Sequence, residues 1–160
     1  MFGIFKNKKK QPEAEVKQEI VALKPIDYEA KIILAWAKAV EGDAKFTLWL
    51  KDNYFELFMA TQAIYLKEEA RDWLMKNGYA HLMAFINAAE GNEVAQKWLK
   101  AHQFDLLYHM ALAIESEQES WTWLLKNATQ DLFILTKAIK EVKDKIEENH
   151  NDIHSFRKDL

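Results

Sequence analysis

The sequence predicts an all-α protein: an α-solenoid of about four and a half short two-helix repeats with a long C-terminal helix. Three observations carry this. Four Trp-Leu pairs, Trp49-Leu50, Trp73-Leu74, Trp98-Leu99 and Trp123-Leu124, stand 24, 25 and 25 residues apart. An alanine follows each of these Trp residues by 14 or 15 positions: Ala63, Ala88, Ala113 and Ala138. Only 4 Gly and 2 Pro occur in 160 residues, too few turn formers for a β-sandwich. Self-similarity at a fixed short period marks stacked supersecondary units, because one such unit cannot bury its apolar stripe alone.

Taken in order, residues 1–12 read as a basic arm, with four Lys and no acid, ended by Pro12. A single helical repeat domain over 13–160 follows. Residues 13–23 have helical composition, with Val16, Ile20 and Leu23 on one face. Pro25 separates them from a helix expected between Asp27, a candidate N-cap, and about Val40. Its apolar face is Ile32, Ile33, Trp36, Ala39 and Val40, and Gly42 is its stop signal.

The repeats, spanning about 27–140, each read as two short helices. The first carries the Trp-Leu pair and, three residues before the Trp, Phe46, Ala70, Ala95 or Ser120. A turn is expected at Asn53, Asn77, His102 and Asn127, since Asn and His tolerate positive φ. The second helix carries parallel columns: Leu57, Leu82, Leu107, Leu132; then Ala60, Phe85, Met110, Leu135; then the alanines. These offsets make one wide helical stripe, and the small alanine lets a neighbouring helix approach closely. The N-terminal segment 13–23 and the C-terminal helix are the natural polar caps of an elongated array.

From Leu132 the apolar positions run Leu135, Ile139, Val142, Ile146, Asn149, Ile153, Phe156, Leu160. Steps of three and four define a heptad seam, so one uninterrupted coiled-coil-like helix is expected over about 128–160.

Composition narrows the function classes. The chain lacks Cys, which removes disulfides and thiolate chemistry. Its net charge of −3 carries no nucleic-acid footprint. The arm is +4, leaving 18 basic against 25 acidic residues elsewhere. No apolar run reaches the roughly 18–20 residues of a membrane span. The apolar tip precedes its lysines, the reverse of a signal peptide, so an unprocessed cytoplasmic protein is expected.

No phosphate loop, nucleophile elbow or catalytic triad order appears. The expected function is therefore a non-catalytic protein–protein interaction module, an adaptor or an inhibitor/immunity-type protein, with no cofactor. Its candidate partner-binding residues are Trp121, a Trp outside the repeated column, and Asn149, Ile153 and Phe156 on the seam. An Asn buried in a seam fixes register and oligomer state, so a homodimer through the C-terminal helix is one form of partner.

Two alternatives come from other residues. Phe2, Ile4 and Phe5 followed by Lys6, Lys8, Lys9 and Lys10 suit weak peripheral contact with an anionic membrane. Glu147, His150 and His154 share a helix face at metal-ligand spacing and would serve a metal-dependent enzyme. Asn151, not Glu, follows His150, so no zincin-type general base is present. The periodic Trp residues read as core rather than as a ligand ladder, and His81 falls in a variable column expected to be exposed.

Overall fold

The computed structural model describes residues 26–156, with side chains described as far as Asn151. Among them are nine α-helices and no strand: α1 (Ala30–Val40), α2 (Ala44–Asn53), α3 (Phe55–Ile64), α4 (Glu68–Lys76), α5 (Ala80–Ala89), α6 (Glu93–Ala101), α7 (Asp105–Ile114), α8 (Gln118–Asn127) and α9 (Gln130–Phe156). The expected segment 13–23, the arm and the last four residues lie outside the described residues.

α1 begins three residues later than Asp27, and Glu29 takes its N-cap position without a side-chain bond. Asp27 is therefore not the cap. True side-chain N-caps occur at Asp43, whose carboxylate accepts from the amides of Lys45 and Phe46, and at Asn92, which accepts from Ala95.

Each odd-numbered helix packs on the next odd one, and α1 lies along α9. Five helices, α1, α3, α5, α7 and α9, thus form a closed circuit of contacts. The intervening helices α2, α4 and α6 each bridge two consecutive members of it from outside, and α8 packs on α7. An elongated array keeps its first and last units apart; here they touch. The reason is on the sequence: α1 carries the same apolar columns as the other odd helices, and its buried Ile32, Ile33 and Trp36 need a neighbour.

The repeated columns have separate jobs. Leu50, Leu74, Leu99 and Leu124 are completely buried. The alanines Ala39, Ala63, Ala88, Ala113 and Ala138 are buried too, where helices come close. Trp36, Ala60, Phe85, Met110 and Leu135 share one column, all at most 2% exposed. Four of these five line a common cavity, so this column fills the middle of the circuit with unequal side chains. Two buried threonines satisfy their hydroxyls: Trp36 Nε1 donates to Thr61 Oγ1 (3.1 Å), and Thr136 donates to the Leu132 carbonyl (2.7 Å).

The turns correct one expectation. Asn53, Asn77, His102 and Asn127 are not the positive-φ residues. Their side chains instead reach back four residues to the carbonyls of Trp49, Trp73, Trp98 and Trp123, at 2.7–2.9 Å. They close the ends of α2, α4, α6 and α8 by satisfying carbonyls that a helix terminus leaves open.

Positive φ occurs directly after two of these residues, at Gly78 (88°) and Gln103 (62°), and at another 24-25-25 column, Gly42 (96°), Leu66 (66°), Gly91 (89°) and Ser116 (75°). There the odd helices end in Schellman turns, such as Asp43 N–H to Lys38 O and Lys67 N–H to Gln62 O, both 3.1 Å.

Candidate functional site

Two open cavities lie on either side of Phe85, which lines both. One, of about 750 Å³, is walled by the N-terminal parts of α1, α7 and α9. The other, of about 680 Å³, lies between the C-terminal ends of α3 and α5 and the distal part of α9.

The C-terminal cavity has an apolar lining of Ile64, Leu66, Phe85, Ile86, Ile139 and Ile146. Its polar groups are Glu90, Lys143, Glu147, Asn149, His150 and Asn151. Side chains from other elements hold the helix ends here. The Tyr65 hydroxyl donates to the Val40 carbonyl at 2.6 Å. Arg71 donates to the Ala63 carbonyl at 3.0 Å and pairs with Glu90. Gln96 donates to the Ala88 carbonyl at 3.1 Å. Lys140 reaches the Ile114 carbonyl (3.3 Å) and Ser116 Oγ (2.9 Å), while Lys143 pairs with Glu115. Cations at helix C-termini are favourable because the aligned peptide dipoles leave partial negative charge there.

Leu66 is the anomaly of this site. A leucine with φ of 66° crowds its own Cβ, at about 1–2 kcal/mol relative to a right-handed conformation. It is also 52% exposed, so burial does not compensate. Glycine or serine fills the same position in the neighbouring units. Backbone strain of this kind clusters at functional sites, which makes Leu66 a candidate. In the sequence this column is marked only by Gly42 and Gly91, and Leu66 carries no such signal.

The candidates from sequence fall in different places. Asn149 is exposed and lines the C-terminal cavity beside Ile146. Trp121 is half-buried on α8, edge-on to Phe133 at 5.2 Å, over a smaller cleft of about 380 Å³ with Lys140 and Asp144. It occupies the place of Arg71 and Gln96 in the preceding units. Unlike them it makes no bond to the helix end behind it, and Lys140 serves that end instead. The structure therefore does not bring Trp121 and Asn149 together.

The side chains of Ile153, Phe156 and His154, and residues Phe2, Ile4, Phe5, Lys6, Lys8, Lys9 and Lys10, lie outside the described ones. Glu147 and His150 lie one turn apart on α9, and the described residues contain no group of three potential metal ligands. Among them no helix is long and apolar enough to cross a membrane.

The Trp residues are less buried than their leucine partners. Trp73 stacks on Tyr79 (5.9 Å) and Trp98 on Phe104 (5.8 Å), each just before the next odd helix, whereas Trp123 stacks on His109 (4.1 Å) of the preceding helix α7.

His81 belongs to this layer. It is 1% exposed, not exposed as its column suggested, and stacks on Phe104 at 5.5 Å. Among the described residues neither ring nitrogen has a hydrogen-bond partner, and burial pushes its pKa below the usual value. His109, bonded to Ser120 Oγ at 3.1 Å, is lowered as well, by burial and then by nearby Lys100, with Asp105 opposing. Tyr28 donates to Glu56 at 2.7 Å and is raised, first by burial and then by that bond.

No protein-family model matches this chain, and neither the curated proteins nor the solved structures contain a match. The site must be judged from its own geometry.

Proposed function

We propose that the chain is a helical-repeat array closed on itself that works as a non-catalytic protein-binding module in the cytoplasm, an adaptor or an inhibitor/immunity-type protein. Leu66 carries the reading. It stands at the rim of an open apolar cavity, exposed and conformationally disfavoured, where the fold alone would select glycine. A partner's apolar side chain entering between Leu66 and Ile146 would bury both. The cavity continues along α9 to Asn149, so the heptad seam belongs to the same surface.

Native capture from the source cell tests this with full-length protein, a version lacking residues 1–10, and Leu66→Gly. The reading expects one dominant protein retained by the first two and lost by the third, which folds at least as stably. Retention unchanged by Leu66→Gly overturns the site. Membrane lipid recovered only with residues 1–10 present would favour peripheral membrane attachment, and recovery of this chain itself would identify a homodimer.

A further inference from the structure

The cavity on the N-terminal side of Phe85 has a charge pattern unlike the other. Among the described residues its charged lining is three aspartates, Asp27, Asp105 and Asp131, with no Lys, Arg or His. Among the described residues none of the three enters an ion pair. Asp105 and Asp131 lie in the first turns of α7 and α9, where a negative side chain faces the positive end of the helix dipole. The dipoles explain why the charges are tolerated but supply no mobile counter-charge at the mouth. Asp27 has no such helix: it precedes α1 and is exposed.

Behind this rim the walls are apolar and aromatic, with Ile33, Trp36, Phe85, Met110 and Leu135. Tyr28 and Phe104 stand beside the aspartates. At about 750 Å³ the space falls within the range of small-molecule sites, which combine apolar walls with a few convergent polar groups.

We propose that this cavity binds an amphiphilic ammonium compound, its apolar or aromatic body against Trp36 and Phe85 and its cationic amine among Asp27, Asp105 and Asp131. Charge complementarity selects the sign of the head group. The ring of Tyr28 favours it further, because the ring quadrupole attracts cations. The site is separate from the Leu66 cavity and stands or falls without it.

Two probes with one body and opposite charge decide the matter: 2-(1-naphthyl)ethylammonium and 1-naphthylacetate, titrated calorimetrically into the full-length protein. The ammonium should bind at least tenfold more tightly, with affinity falling as salt rises. Asp131→Asn should weaken it about fivefold, the size of one charge interaction near 4 Å in water. The same change should leave the carboxylate probe unweakened. Asp105→Asn, at an exposed position, repeats the test should the first variant fold poorly, and Leu66→Gly should change nothing.

Equal binding of the two probes, or no binding at millimolar concentration, overturns the proposal. So does ammonium binding that appears only after residues 1–10 are deleted. That result would make the chain's own Phe- and Lys-rich segment the occupant.

Discussion

The two ends of the five-helix circuit share the same apolar columns and differ in how they treat charge. At the C-terminal end, Arg71, Gln96 and Lys140 reach across to bond helix carbonyls, and Arg71 and Lys143 also neutralise Glu90 and Glu115. At the N-terminal end, the aspartates lining the cavity meet no cation among the described residues, and the surrounding layer is aromatic. One end is closed by borrowed polar groups around an exposed leucine. The other is left acidic around an open mouth. The shared sequence columns thus supply a common frame, and the residues that depart from them give each end its character.

The partition between the ends rests on Phe85. Replacing it with Ala should join the two cavities and cost about 3–5 kcal/mol, the largest effect expected here. Urea unfolding monitored by far-UV circular dichroism measures it, and a loss under 1 kcal/mol would mean that the middle of the circuit is loosely packed.

Next comes Arg71→Met, which leaves the Ala63 carbonyl and the Glu90 carboxylate without their partner. A loss of about 1–3 kcal/mol is expected in the same assay. An unchanged midpoint would show that this end does not depend on borrowed caps.

Leu66→Gly acts in the opposite direction. Relief of the left-handed strain should raise stability by about 1 kcal/mol. A destabilised variant would mean that Leu66 serves the fold, which would remove the support for a binding role.

The smallest effect concerns the aromatic end. His81 and His109 both have folded-state pKa values below 6.5, so the unfolded chain binds more protons as pH falls through that value. Stability should therefore decline from pH 7 toward pH 5.5. His81→Phe keeps the stack on Phe104 and removes two unbonded ring nitrogens. It should raise the thermal midpoint by a few degrees and flatten part of the acid decline, leaving the His109 share. A pH profile parallel to that of the unaltered protein would exclude His81 as a source.

Much of the fold was legible because periodic columns report burial. The Trp-Leu pairs, the alanines and the seam from Leu132 placed the repeated helices within a few residues, and Gly42 marked its turn correctly. What escaped were choices that periodicity does not encode. An Asn after a helix serves equally well as a positive-φ residue or as a side-chain cap on its own helix. Asn77 took the second course, and the left-handed position went to Gly78. His81 looked exposed because Glu56 and Asp131 share its column, yet its neighbour Phe104 covers it. The packing of α1 on α9 is a contact across about 100 residues, and no local pattern announces it. The candidate sites were less visible still: Asn149 was placed on a cavity wall, while Leu66 and the three aspartates gain meaning only when distant helices meet.

That long-range contact has a consequence for how the chain is made. Ile32, Ile33 and Trp36 leave the ribosome early, but the helix that covers them begins at Gln130. At about 5–20 residues per second, translation leaves this apolar face waiting for seconds. Earlier units can pair as they emerge, while the circuit shuts only after α9 is free. A nascent chain stalled before α9 should therefore be held by chaperones that grip apolar helix faces, and the completed chain should be released from them in one step.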